Sequence, residues 1–129
     1  MMPLSSPDIS KEAQKEFKQN KQRIIDSLVE RLLAEPGAFD HLGEQAENTL
    51  RAGFEFTSSS LEACMQINDM SLLANQLSWA KDRLPHDGIS MDRMQKNIQE
   101  YCRVISEVIP QPYAVEIVNV VQKYLLPSK

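Results

Sequence analysis

The stretch Tyr113-Ala-Val-Glu-Ile-Val-Asn-Val-Val-Gln-Lys-Tyr-Leu-Leu126 decides the fold class. Its β-branched residues suit a strand. Two features argue the other way. The run is long for a strand, and its apolar positions 114, 117/118, 121 and 124/125 recur at helical spacing. No other segment reads as a strand that it pairs with. Pro112 suits the first turn of a helix. The stretch is therefore read as a helix, and the chain as all-α. Because this helix is apolar on more than one side, it is expected to be wrapped by other helices or by a second subunit. Val118, Val121, Tyr124 and Leu125 are the candidate residues for that dimer or partner face.

Working towards the N-terminus, Pro110-Gln111-Pro112 ends a helix capped by Ser90. The buried face of that helix is expected to hold Met91, Met94, Ile98, Tyr101, Cys102, Ile105, Val108 and Ile109. Pro85-His86-Asp87-Gly88 closes a helix over about Met70 to Leu84, with Leu73, Leu77, Ala80 and Leu84 along one face. Asn68-Asp69 marks the turn before it. A longer helix is expected from Asp40, an N-cap type, to about Ile67, with Leu42, Ala46, Leu50 and Phe54 at four-residue intervals. Thr57-Ser58-Ser59-Ser60 is expected to kink or interrupt it, because hydroxyls bond back to the backbone and Ser59 with Glu62 fits a capping box.

The first helix is read over Lys11 to Glu35, capped by Ser10 and ended by Pro36-Gly37. Its second half carries the stripe Ile24, Ile25, Leu28, Val29, Leu32 and Leu33. Its first half is polar and reads as a solvated or partner-binding extension. Residues 1–9 read as a flexible arm, and 10–129 as a single helical domain. The sum is a bundle of five to six helices, with a globin-like packing among the architectures it fits.

The composition limits function. The chain has 129 residues, 42% hydrophobic and 25% charged, with a net charge of -4. That balance opposes nucleic-acid binding, which needs a concentrated positive field. Four glycines are too few for a phosphate cradle. No apolar run reaches the length of a membrane span, and the first ten residues lack the pattern of a secretory signal. Cytoplasmic placement is the expectation. The start at Met1-Met2 and the end at Pro127-Ser128-Lys129 read as a stand-alone chain.

Catalytic and metal-binding patterns are missing. His41 and His86 are the two histidines. They fall at helix ends or loops, outside any HExxH motif or His/Cys cluster. The serines 58 to 60 have no nucleophile-elbow context, and Cys64 and Cys102 form no CxxC pair. No catalytic residue, metal site or resident cofactor is assigned. Were a haem or bilin to bind, His41, Cys64 and His86 are the candidate ligands. For an apolar pocket, Phe54, Met65, Trp79 and Met94 are the candidates. Met adapts to varied ligands, and a Trp one turn before a loop packs half-exposed over a pocket or at the edge of the core.

The order of features also resembles a known family. It runs from Ile25-Asp-Ser-Leu-Val-Glu-Arg-Leu-Leu-Ala-Glu-Pro-Gly-Ala-Phe39, through an acid-rich helix and Leu77-Ser78-Trp79-Ala80. It continues with Arg83-Leu-Pro-His-Asp-Gly-Ile-Ser90 and a helix over Asp92 to Val108. Residues 20 to 109 thus resemble the N-terminal helical sensor domains of bacterial stressosome scaffold proteins and related signalling proteins. The resemblance implies a globin-like domain without haem, homodimerisation, and signal transfer to a regulatory partner. It carries over no catalytic or ligand residue. The expectation is a non-enzymatic regulatory or sensory domain that acts through dimerisation and through partner or small-ligand binding. A tetrapyrrole-binding globin or phycobiliprotein relative is the alternative.

Overall fold

The computed structural model describes residues 9–37, 39–83 and 90–126. Among these there is no strand. Five α-helices are present: α1 (Lys11–Ala34), α2 (Ala46–Ile67), α3 (Ser71–Arg83), α4 (Met91–Val108) and α5 (Tyr113–Leu125), with a 3-10 turn over Asp40–Gln45 before α2. The stretch that decided the fold class is helical. Its stripe Ala114, Ile117, Val120, Val121 and Leu125 is buried.

The local signals act where expected at both serine caps. Ser10 Oγ accepts from Ala13 N–H at 3.1 Å, and Ser90 Oγ accepts from Arg93 N–H at 3.0 Å. Each satisfies an amide that the first helical turn leaves without a partner. Helix α2 ends on Asn68 in the left-handed conformation (φ 55°), a C-terminal role that Asn tolerates better than most residues. Asp69 then accepts from Ser71 N–H at 2.9 Å and starts α3.

Three expectations are corrected. The serine run does not break α2, which is continuous from Ala46 to Ile67. Two of its hydroxyls are engaged by other helices. Ser58 Oγ lies 2.6 Å from Tyr101 Oη, and Thr57 Oγ1 accepts from Gln76 Nε2 at 2.9 Å. The distortion falls earlier, at Gly43 (φ 56°, ψ -133°), in a region of backbone space that glycine enters readily. A 3-10 turn therefore occupies the segment after Asp40, and α2 begins at Ala46.

The second correction concerns the N-terminal part of α1, which is no solvated extension. Ala13 and Phe17 are fully buried, and Ile9, read from the sequence as part of the arm, is largely buried too. Ser10 donates from both N–H and Oγ to the Glu116 carboxylate (2.8 and 3.0 Å), tying the start of α1 to the first turn of α5. Lys21 bonds Glu62 of α2 at 2.8 Å. Two apolar side chains and three tethers are enough to seat a mostly polar half-helix.

The third correction concerns α5. Val121 and Leu125, offered as a dimer face, are buried inside this chain, while Val118 and Tyr124 are half-buried against the same core. Helices α1, α3 and α4 all pack on α5, so the wrapping inferred from its apolar sides comes from its own chain.

The core is one continuous cluster that draws on all five helices. Tyr101 sits within it with no exposed surface. Its ring meets Phe54 at 5.1 Å in a tilted arrangement, and its hydroxyl meets Ser58. These side chains connect α2 to α4.

Candidate binding groove

Helix spacing creates the site. Helix α4 packs closely on α1 and α5, and α3 packs closely on α2 and α5. Neither α2 nor α3 closes tightly onto α4. The space left between them is a groove of about 640 Å³, within the range of ordinary small-molecule sites.

Each wall has a sequence origin. On α2, Thr49, Ala52, Gly53 and Phe56 recur at i, i+3, i+4 and i+7, all exposed and all lining the groove. This row flanks the helix's buried stripe, whose Leu50, Phe54 and Thr57 also line the groove. Small residues at 52 and 53 keep the floor low, and a Cβ at Gly53 would meet nothing within 4 Å. From α3 come Gln76, Leu77 and Trp79, and from α4 the i, i+3, i+4 set Met94, Asn97 and Ile98. Leu42 of the 3-10 turn and Leu125 of α5 close the ends. Phe56 and Trp79 remain 59% and 56% exposed. That is unusual for two large aromatics bordering one concavity.

Among the described residues, no Asp, Glu, Lys, Arg or His lines this groove. Its polar groups are neutral and mostly covered: Thr57 and Asn97 are 8% and 6% exposed. Asn97 Oδ1 accepts from Arg93 Nε at 3.1 Å. Arg93 in turn forks onto Glu35 (2.7 and 3.1 Å) and lies 5.2 Å from the Phe39 ring centre. Gln76 uses its amide nitrogen on Thr57, and its Oε1 is buried without a hydrogen-bond partner.

A second depression, about 450 Å³, lies between the end of α1 and α4. Its charges neutralise each other. Arg31 bonds Glu100 and Glu107, Arg93 bonds Glu35, and Arg103 bonds Glu100. The Arg31 guanidinium holds the Glu107 carboxyl below the usual carboxylate range, and Arg93 does the same to Glu35. Arg51 likewise depresses Asp26. The Arg31, Arg93 and Arg51 pairs are structural ties from α1 and its C-terminal end to neighbouring helices, and the Arg103 pair lies within α4.

Three of the four pocket candidates, Phe54, Trp79 and Met94, come together on the groove. The fourth, Met65, is buried in the core away from it. Cys64 is also fully buried and off the groove, and burial raises its thiol pKa. Cys102 is pushed up to about 11 for the same reason. Neither thiol is poised as a thiolate ligand or nucleophile. His41 lies in the 3-10 turn with its side chain outside the description, and His86 lies outside the described residues. Among the described residues, no three His, Cys, Asp or Glu side chains gather as a metal site, and no helix is long and apolar enough to cross a membrane.

Sequence reasoning missed Gln76, Asn97 and the small residues of the floor. The signal for the floor was present: a second row of small and apolar residues on α2, at helical spacing, with no role in the core. Comparison with protein-family models, with curated proteins and with solved structures returns no match.

Proposed function

We propose that this chain is a non-enzymatic regulatory domain that senses a small apolar ligand in the groove between α2, α3 and α4. One observation carries the reading: a concavity of ligand size, bordered by exposed Phe56 and Trp79, without a charged side chain among the described residues of its lining. Such surface is costly to leave in water, and its burial against an apolar molecule is the natural source of affinity. Several groups outside the groove lining have perturbed ionisation. Asp26, Glu35 and Glu107 are shifted by inter-helix arginine pairs, and the two thiols by burial. These are architectural causes. The resemblance of residues 20 to 109 to the non-haem sensor domains of stressosome scaffolds points the same way.

Trp79 is the only tryptophan in the chain, so its emission reports on the groove directly. N-phenyl-1-naphthylamine, a neutral apolar dye that absorbs where tryptophan emits, is the probe. On titration Trp79 emission should fall while dye emission rises. Gly53→Leu, which places a side chain in open groove space, should abolish the transfer while leaving the helical circular dichroism intact. Dye binding that is absent, or that is indifferent to Gly53→Leu, would refute the reading.

A further inference from the structure

We propose that the ligand of this groove is a neutral amphiphile, an apolar chain or ring bearing one hydrogen-bond-donating head such as a hydroxyl or a carboxamide, received by Gln76 Oε1. The inference rests on the apolar-ligand reading above and adds the identity of the head group.

The argument begins with an unpaired atom. Gln76 donates from Nε2 to Thr57 Oγ1 at 2.9 Å, which leaves Oε1 as the free end of the amide. That oxygen is buried and has no partner. A buried acceptor without a donor is destabilising and calls for a partner that the folded chain does not itself supply. Gln76 lines the groove, so a turn of its side-chain amide would bring Oε1, now without exposed surface, to the N–H or O–H of a ligand there.

Charge narrows the head group. A carboxylate would bring negative charge towards an acceptor oxygen, with no cationic side chain among the described residues of the lining to offset its loss of water. An ammonium would donate well but would meet no carboxylate there. The Arg93 guanidinium, which reaches the lining residue Asn97, is held by Glu35 and by the Asn97 carbonyl oxygen. A neutral donor remains. Asn97 adds to the selection: with Oδ1 taken by Arg93, its amide hydrogens are the part left to meet a ligand oxygen. A hydroxyl or a carboxamide is both donor and acceptor, and so suits both residues.

Competition against bound N-phenyl-1-naphthylamine tests this with three ligands of one chain length: decan-1-ol, its methyl ether 1-methoxydecane, and decanoate ionised at pH 8. Decanol should displace the dye at about fivefold lower concentration than the ether, the share of one hydrogen bond. It should outcompete decanoate by about tenfold or more. Gln76→Leu should bring decanol and the ether level while dye binding persists, and Gln76→Met serves as a second variant if the first fails to fold. Equal displacement by decanol and the ether in the parent protein would overturn the proposal. So would preference for decanoate, or an alcohol preference that survives in both variants. These results leave the groove reading standing. Absence of energy transfer from Trp79 to the dye removes that reading, and this proposal with it.

Discussion

Replacing Tyr101 with Phe isolates the polar contact at the centre of the fold. The Tyr101 hydroxyl and Ser58 Oγ are 2.6 Å apart, and neither residue has exposed surface. The substitution leaves the ring in place against Phe54 at 5.1 Å, so it opens no large cavity. What it removes is the partner of a buried hydroxyl, and the expected loss is about 1–3 kcal/mol. For a domain of this length that corresponds to a fall in melting temperature of about 4–10 °C. Ser58→Ala should cost a similar amount, since it strands the tyrosine hydroxyl instead. The double variant leaves neither group stranded, and its loss should fall short of the sum of the two by about 1 kcal/mol or more. Urea denaturation of the four proteins at pH 7, followed by circular dichroism, gives the cycle. If Tyr101→Phe changed stability by less than about 0.3 kcal/mol, or if the two losses simply added, the pair would not join α2 to α4 in the way described.

Other consequences follow from the same packing. Burial raises the ionisation of Cys102 from 9.0 to about 11, and it raises Tyr101 above its ordinary 10.0. Both groups are therefore held neutral by folding. Their contribution is whole below pH 9 and is lost as pH climbs from 9 through 11 and beyond, so the melting temperature should fall over that range, less steeply in Cys102→Ala. Gly53 lies within α2 at an ordinary helical φ with open space around its missing Cβ. Gly53→Ala should stabilise the domain by about 0.5–1 kcal/mol in thermal or urea unfolding. Arg93 makes a two-pronged pair with Glu35, bonds Asn97 and lies over Phe39, with its side chain only 15% exposed. Arg93→Ala should cost about 1–2 kcal/mol, with Arg93→Lys recovering little of it, whereas Arg103→Ala on the open surface should stay within about 0.5 kcal/mol.

The contrast between Ser90 and Ser58 shows what the sequence made legible. Ser90 caps a helix through an amide three residues on, and the helix it starts was readable from spacing alone. Ser58 and Thr57 take their partners from 43 and 19 residues away, on other helices. Nothing local indicates that, so a run of hydroxyls that bends an isolated helix leaves this one continuous. The same reasoning separates Met94 from Met65. Both lie in apolar stripes, and only the gap between α2 and α4 decides which of them faces open space. The α5 stripe was read correctly as apolar on more than one side. Whether its cover came from a second subunit or from α1, α3 and α4 depended on how the chain returns on itself. Ile9 and Phe17 were under-read because they stand alone among polar residues, yet their tertiary contacts hold the whole N-terminal turn. The groove was half legible. Its aromatics and Met94 could be named, while its neutral lining and the unpaired Gln76 oxygen exist only once three helices are assembled.

The central claim is that an apolar ligand occupies the groove between α2, α3 and α4. Amide and side-chain NMR shifts of labelled protein, titrated with decan-1-ol, test it most directly. The account predicts perturbations gathered on residues 49–57, on the side-chain amides of Gln76 and Asn97, and on the Trp79 indole N–H, with the face formed by α1 and the start of α5 unmoved. Perturbations that centre on that opposite face, or that are absent at saturating alcohol, would contradict it.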